Sequence, residues 1–424
     1  MGKMNVKNLN MRRTHFRTTE RKFYDTIHNV HPYTAKLIPE IPRYLLKKYS
    51  GKNDTILDFC CGSGTTLLEA VLLKKTAVGI DINPLAVLIS KVKTKPMDIP
   101  ELELGIQRIR YGLKNKCEYP PMNFPNIDYW FCERAKNELS AVRCNLDKLR
   151  NTLTSDAHDF LVACFCSIIR KSSFADRYMA KTYKSAIMVR KIEAGWVPQP
   201  FRLFDEALDR NFNRAKLLSN ICSDNRQTKV FQGDAKNTSE ILRRGRVKEV
   251  DMIISSPPYI NAQDYFRSYK LELFWSGLAT PEKVKELDKM ALGTERVPSH
   301  TFDSIPKSES LLLNRILHNI GKSKGKKNRR KTLIVHNYFE NVRTVFRDLS
   351  NVLKAGGKLC LITGNNTICG VNIPTYKILT ETAEECGFKL VDRYKDEITK
   401  RSLFLGRNHT GGVIKEEWIN VFQL

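Results

Sequence analysis

The stretch Asp251-Met252-Ile253-Ile254-Ser255-Ser256-Pro257-Pro258-Tyr259 decides how this chain is read. Met252 to Ile254 is an apolar run with the length and character of a buried parallel strand. Two prolines follow Ser256. Each fixes its own φ and lacks an N–H, so the strand cannot run on. Ser256 and its neighbours are thereby held stiffly at the carboxyl end of a strand, the edge at which open α/β sheets bind ligands. A hydroxyl, rigid carbonyls and an aromatic ring presented together suit a flat group that carries an amine. The Ser256 oxygen and the Pro257 carbonyl can accept hydrogen bonds from the amine while the Tyr259 ring stacks on its plane. Taken alone, Pro-Pro-Tyr also fits a turn that ends a strand and buries a tyrosine.

A second strand end upstream changes that balance. Asp54 to Phe59 reads as a strand and Cys60-Cys61-Gly62-Ser63-Gly64-Thr65-Thr66 as the turn after it. A helix over Leu67–Lys74, a strand over Thr76–Ile80 closed by Asp81, and a helix opened by Pro84 and running to Lys93 complete a βαβ unit. A glycine-rich turn lets a ligand approach the backbone closely, with the N–H groups of the helix start aimed at its polar part. The acid that closes the second strand, Asp81, can take two ribose hydroxyls. A dinucleotide fingerprint needs a third glycine where Thr66 or a neighbour stands, which disfavours a nicotinamide-dependent oxidoreductase.

The rest of the sheet is expected at Lys229–Gln232, ending in Gly233-Asp234, at Glu249–Ser255, at Lys358–Thr363, and at two late strands, Lys389–Ile398 and Ser402–Leu405, pairing around Thr399-Lys400. Helices are expected at Ile41–Tyr49, Tyr265–Leu278, Asn337–Leu353 and Tyr376–Cys386. Between Glu101 and about Asn225 the pattern is helical: Glu133–Leu153 carries an apolar stripe, Ala157–Ile169 is almost wholly apolar, and Phe201–Ser219 is amphipathic. Within that block Arg170 to Lys184 mixes cations with aromatics, a combination that suits phosphates and bases or, equally, a loop of lysines lying along apolar surface. Leu287–Ser310 shows no period and reads as a loop near the site. Lys322–Lys331, almost all basic, reads as a solvated loop or as one that contacts a nucleic-acid backbone. The domain reading is a basic N-terminal arm over 1–28, a catalytic unit over 29–100 and 227–424, and an inserted helical lobe over 101–226.

The 424 residues hold 71 Lys and Arg against 45 Asp and Glu, a formal charge of +26 that points to a polyanionic partner, most often nucleic acid. Hydrophobic residues make up 42%, ordinary for a globular chain. No apolar run approaches the length of a bilayer span, and Met1–Lys22 lacks the apolar core of a signal peptide, so the expectation is a cytoplasmic protein with no membrane partner. The 11 cysteines include no CxxC pair, so neither a zinc finger nor a disulfide framework is expected, and no metal is called.

These pieces resemble the S-adenosylmethionine-dependent DNA amino-methyltransferases, which methylate exocyclic amines of cytosine (N4) or adenine (N6). The resemblance covers roughly 29–95 and 229–405, and it implies an α/β Rossmann-like class I methyltransferase sheet, mostly parallel with a late antiparallel strand. Asp58-Phe59-Cys60-Cys61-Gly62-Ser63-Gly64-Thr65-Thr66 is similar to the family's cofactor loop, and Gly79-Ile80-Asp81-Ile82-Asn83-Pro84 to its ribose-binding acid. Gly233-Asp234 stands where the family places an acid beside the cofactor's adenine. His31-Pro32-Tyr33 through Pro39 looks like the segment that closes over the methionine end. The resemblance thus implies S-adenosylmethionine as cofactor, held by Tyr33, Asp58, Cys60, Gly62, Gly64, Thr65, Asp81, Asn83 and Asp234. It also implies catalysis by Ser256, Pro257, Pro258 and Tyr259. A serine opening the tetrapeptide is typical of cytosine-N4 enzymes, an aspartate or asparagine of adenine-N6 enzymes. The expectation is a cytosine-N4 DNA methyltransferase of a restriction-modification system, acting by base flipping on double-stranded DNA, with a cognate restriction endonuclease as a candidate partner. An adenine-N6 enzyme, an RNA amino-methyltransferase, and a nucleic-acid-binding protein with a vestigial cofactor pocket are the alternatives.

Overall fold

The computed structural model describes residues 6–9, 25–115, 119–177, 181–222, 228–260, 264–297, 306–322, 326–398 and 414–424. The strands are β1 (Lys7–Asn8), β2 (Thr55–Asp58), β3 (Thr76–Asp81), β4 (Thr228–Gln232), β5 (Val250–Ser255), β6 (Leu353–Gly364), β7 (Asn366–Ile368), β8 (Val371–Ile373), β9 (Lys389–Glu397) and β10 (Glu416–Gln423). Eight of them form one sheet in the order β1-β9-β10-β6-β5-β2-β3-β4, and β7 and β8 make a separate hairpin. Every pairing in the large sheet is parallel except those of β10, which runs antiparallel to both β6 and β9. This is the α/β Rossmann-like sheet of class I methyltransferases.

Side chains alternate across the central strands, and both faces are covered. Leu57, Val78, Ile253, Leu359 and Leu361 enter one apolar cluster with Val335, Phe339, Val342 and Phe346 of the helix Lys326–Ser350. Ile56, Ala77, Met252, Ile254, Cys360 and Ile362 enter another with Ile41, Leu45 and Leu46 of Glu40–Tyr49 and Leu67 and Leu68 of Thr65–Leu72. A third cluster fuses the helical block to the sheet layer. It joins Leu85, Ile89 and Val92 of Pro84–Thr94 to Leu139, Phe160, Phe165 and Phe204 of the block and to Phe266, Tyr269 and Trp275 of Tyr265–Ser276. No helix among the described residues is long and apolar enough to cross a membrane.

Several elements differ from the sequence expectation. The strand that pairs with β9 is β10, and Ser402–Leu405 lies outside the described residues. The basic run is not a loop throughout, because the helix expected from Asn337 already begins at Lys326. Lysine and arginine are good helix formers, and the helix is anchored by its apolar stripe further along. Leu287–Met290 closes the helix Pro281–Met290, and Leu311–Lys322 is a helix with Leu313, Ile316, Leu317 and Ile320 buried on one face. The arm is in part sheet: Lys7 and Asn8 pair with Tyr394 and Lys395 at the edge.

The strand order reverses between β2 and β5. From β2 the chain steps outward to β3 and β4. From β5 it steps the other way to β6. The two are neighbours in parallel register, Ile56 beside Met252 and Leu57 beside Ile253. A crevice opens where loops from adjacent strands depart in opposite directions, and this is the position at which doubly wound sheets hold their ligands.

Candidate active site

At that crevice lies a cavity of about 300 Å³, at the lower end of the ~300–1,000 Å³ range of small-molecule sites. Its wall takes residues from four strand ends: Asp58 and the turn Phe59–Ser63 after β2, Asp81 to Asn83 after β3, Gly233 and Asp234 after β4, and Ser256 and Pro258 after β5. Tyr33 and Lys36 close it from the segment before the first helix, and Tyr265 and Phe266 from the helix that follows the tetrapeptide.

The glycine-rich turn is built around one carboxylate. Asp81 Oδ2 accepts the Gly62 N–H at 2.8 Å and Asp81 Oδ1 the Asn83 N–H at 2.8 Å. Gly62 sits at φ 51°, which favours glycine, while a Cβ there would make only an ordinary contact, 3.7 Å from the Tyr33 ring, so the backbone conformation and not crowding calls for glycine. Gly64 has a different task. At φ 70° it precedes the helix Thr65–Leu72, and a Cβ on it would meet Ser90 Oγ at 2.7 Å. Gly64 lets two helices pack closely and lies outside the cavity lining. Thr65, the first residue of that helix, does line it. Asn83 faces the cavity and caps the helix Pro84–Thr94 by accepting the Leu85 N–H at 3.0 Å.

Asp58 connects the two halves. Its Oδ1 accepts the Ser255 hydroxyl at 2.7 Å and the Cys60 N–H at 3.2 Å, so the last residue of β5 is fastened to the last residue of β2. Burial pushes the Asp58 carboxyl up to about 6, against the downward pull of hydrogen bonds from Ser255, Thr66 and Cys60. Burial likewise pushes Asp81 up to about 6, opposed by the Asn83 and Gly62 N–H groups. Burial, with Asp81 and Asp58 close by, holds the Cys60 and Cys61 thiols well above their usual range, so neither is poised as a thiolate nucleophile. Asp234 Oδ1 accepts the Lys236 N–H at 3.0 Å, and its other oxygen lies 3.3 Å from Lys236 Nζ.

Tyr33 is buried in a stack of three rings, 4.6 Å from Tyr269 and 6.2 Å from Tyr265 between centroids. Offset stacking of this kind adds roughly 0.5–1.5 kcal/mol per pair beyond area burial. The Thr34 hydroxyl and N–H both bond the Tyr269 hydroxyl, the former at 2.7 Å, which ties the entry segment to the helix after the tetrapeptide. Ala35, at φ 53°, also lines the cavity. A left-handed conformation in a non-glycine residue costs about 1–2 kcal/mol, and here it falls at the wall of a pocket.

The tetrapeptide divides. Ser256 and Pro258 face the cavity; Pro257 and Tyr259 are not in its lining. The Tyr259 ring lies over the end of β6, its Cε2 3.1 Å from where a Cβ on Gly364 would stand, and its hydroxyl donates to Glu417 Oε1 at 3.1 Å. Burial and then the Glu417 carboxylate push that hydroxyl well above its ordinary range, so it keeps its proton. The loop from Ala291 to Arg296 passes over the same place, with Gly293 against Pro258. Arg330 Nη2 donates to the Glu295 carbonyl at 3.0 Å, and Arg296 pairs with Asp288. Tyr265, Arg296 and Arg330 all line the cavity, and no motif marked them. The signals were the expected helix Tyr265–Leu278 for Tyr265, the aperiodic stretch beginning at Leu287 for Arg296, and the basic run Lys322–Lys331 for Arg330.

The chain is similar to known DNA-modifying enzymes. The family model N6_N4_Mtase, described as DNA methylase, matches residues 5–92. The Type II methyltransferase M.MvaI of Kocuria varians is 23% identical over 381 residues, 84% of this chain and 80% of the relative. The Type II methyltransferase M.BsoBI of Geobacillus stearothermophilus is 24% identical over 411 residues, 87% of this chain and 80% of the relative. Among solved structures, the rRNA methyltransferase aviRa of Streptomyces viridochromogenes superposes with a TM-score of 0.33 and 11% identity, covering 94% of this chain and 89% of that one. The partial family match, the two long relatives, and a cavity shared by the glycine turn and the Ser-Pro-Pro-Tyr strand end agree in one direction: the chain is similar to the S-adenosylmethionine-dependent DNA amino-methyltransferases.

Proposed function

We propose that this protein is the modification enzyme of a restriction-modification pair and methylates the exocyclic N4 amine of cytosine in double-stranded DNA. The observation that carries the reading is the junction of β2 and β5. One cavity takes its wall from both the Gly62–Asp81 turn and Ser256–Pro258, and the Ser255–Asp58 hydrogen bond fastens the two sides. The Type II methyltransferase relatives supply the DNA substrate and the restriction-modification setting. Ser256 at the head of the tetrapeptide supports cytosine over adenine.

The wall fits S-adenosylmethionine: a carboxylate at Asp81, a left-handed glycine turn at Gly62 that leaves the wall bare of a side chain, and aromatic rings from Tyr33 and Tyr265. When bound, the cofactor supplies a methyl carbon made electrophilic by a positively charged sulfur. Asp81 would hold the ribose hydroxyls, Asp234 would stand beside the adenine, and Tyr33 would cover the methionine end. Asp58, Cys60, Gly62, Thr65 and Asn83 shape the floor, with Gly64 setting the helix beneath it.

The amine gains positive charge as it becomes alkylated. The Ser256 oxygen, at the cavity wall and held rigid by the proline pair that follows it, is a fixed acceptor that stabilises this charge more than it stabilises the neutral amine. A duplex hides that amine, so the cytosine must leave the stack, and Tyr259, clamped by Gly364 and Glu417, offers it a ring to rest on. In this reading 29–100 and 227–424 form the catalytic unit and the helical block 101–226 faces the DNA.

The test is to incubate the pure protein with labelled cofactor and genomic DNA, digest to nucleosides, weigh the methylated product and map its sequence context. N4-methylcytosine is expected. N6-methyladenine would overturn the cytosine assignment while leaving the family intact, and label confined to RNA would overturn the DNA substrate.

A further inference from the structure

Residues 181–197 form a strap on the helical block whose chemistry the catalytic site does not use. Its centre is the helix Ala186–Glu193, capped by Ser185, with Met188 as its only buried residue. Met188 and Ile192, four apart, make the inner face, since Ile192 is half-buried; Ala186, Ile187, Val189, Arg190, Lys191 and Glu193 all stand in solvent. Four of the eleven large apolar side chains exposed among the described residues fall in this strap: Tyr183 (36%), Ile187 (65%), Val189 (38%) and Val197 (45%). Such a concentration in a short stretch marks an interaction surface.

Charge specifies the occupant. From Arg170 to Val197 there are seven Lys and Arg against two Asp and Glu. Several cations lie on rings, Lys184 4.1 Å above Tyr129 and Arg177 5.4 Å above Trp196, while Lys181, Arg190 and Lys191 are exposed. Apolar side chains ringed by unneutralised cations suit a polyanion that also has apolar edges, which is duplex DNA.

Position ties the strap to the active site. Thr182 Oγ1 donates to the Ser268 carbonyl at 3.0 Å, and Arg170 Nη2 donates to Thr182 Oγ1 at 3.1 Å. Ser268 lies three residues after Tyr265 on the same helix, about 4.5 Å along its axis, and Tyr265 lines the cavity. DNA seated at the tetrapeptide would therefore pass the strap. A single helix, about 10–12 Å across with its side chains, fits a major groove about 12 Å wide.

We propose that the helix Ala186–Glu193 docks in the groove of the duplex beside the target base. Arg190, opposite Met188 on the helix, points to the base edges, Lys181 and Lys191 contact phosphates, and Ile187 and Val189, about 200° apart, lie along the two groove walls. This assignment rests on the DNA substrate proposed above. Two surface variants test it, a double Lys181→Gln, Lys191→Gln and a single Arg190→Ala. Binding to a duplex carrying the mapped methylation context and to a random duplex is measured by fluorescence anisotropy across a salt series. Each phosphate contact contributes a slope of about 0.9 in log K against log salt. The double variant should lose about two units of slope on both duplexes. The single variant should cut the preference for the methylated context about tenfold or more. Cofactor binding should stay unchanged in both. Variants with the wild-type slope and preference would overturn the docking surface alone. So would a change confined to sedimentation, which would mark an interface between copies of the chain. A wild-type protein that binds no duplex at any salt would overturn both this surface and the proposed DNA substrate.

Discussion

Replacing Asp81 by asparagine removes a charge while keeping the shape. Asp81 accepts two backbone N–H groups at 2.8 Å, one on each oxygen, which leaves each oxygen a second lone pair, and the residue lines the cavity. Hydrogen bonds to an ionised acceptor contribute about 1.5–3 kcal/mol each. A ribose diol would lose the charged partner of both its hydroxyls, so Asp81→Asn should weaken cofactor binding by about 3 kcal/mol, roughly two decades in Kd. Isothermal calorimetry with S-adenosylmethionine at pH 7.5 measures this directly. The pH dependence adds a second handle. Burial raises the Asp81 carboxyl from 3.8 to about 6 in the ligand-free protein. The folded value exceeds the unfolded one, so this group favours the fold fully below pH 4, and that contribution is lost as pH rises through 6. Hydroxyl donors favour the ionised form, so cofactor affinity should be full above 6 and fall as pH drops through 6. Asp58 titrates in the same window. The diagnostic is therefore the difference between wild type and Asp81→Asn, which should narrow from pH 7.5 to 5. A Kd within threefold of wild type at pH 7.5 would remove Asp81 from the ribose site.

Four further outcomes are expected. Ser256→Ala should lower methyl transfer by about 100-fold or more, the cost of losing one fixed transition-state partner, with cofactor Kd unchanged; undiminished single-turnover rates would remove Ser256 from catalysis. Tyr259→Phe keeps the ring and loses the hydroxyl's bonds to Glu417 and Ser256, so kcat should fall by about tenfold or less, against loss of activity in Tyr259→Ala; equal damage from both would show that the hydroxyl, not the ring, matters. Gly64→Ala forces a Cβ to within 2.7 Å of Ser90 Oγ at a φ of 70° and should destabilise the fold by about 2–4 kcal/mol in urea unfolding; an unshifted midpoint would contradict the packing role. Ser255→Ala withdraws a donor from buried Asp58, so the acid limb of the kcat/KM profile should move upward in pH, and a limb that stays in place would uncouple Asp58 from that limb.

The part of the fold legible in the sequence is the part written in local signals. The strands β2, β3 and β5 are short, largely apolar runs, and each strand from β2 to β5 ends in residues that stop it: Asp58 before a glycine turn, Asp81, Gly233-Asp234, and Ser256 before two prolines. Since ligands bind at strand ends in this architecture, the same residues announce the cavity. What escaped had no local signature. Arg330 reaches the pocket from a long helix whose start looked like a solvated charge run, because charge alone does not separate loop from helix surface. The pairing of Tyr259 with Glu417 joins residues 158 positions apart, and the three-ring stack joins Tyr33 to a helix more than 230 positions later. Gly64 shows the opposite error, a motif residue whose glycine is required by a neighbouring helix and not by a ligand. The helix Leu311–Lys322 was readable from Leu313, Ile316, Leu317 and Ile320, but it sits beside an aperiodic stretch that concealed its start.

The adjacency of β2 and β5 also bears on the order in which the molecule folds. The hydrogen bond from Ser255 to Asp58 spans 197 positions of chain, with the whole helical block threaded between them. Closing a loop of that length costs about 5 kcal/mol of chain entropy before any contact repays it. Helices of the block can form and pack through nearer neighbours first, so the junction of the two strands is expected to assemble late. Binding competence for the cofactor should then lag behind the recovery of helix content during refolding, and the nascent polypeptide should have no grip on the methyl donor until β5 has been made.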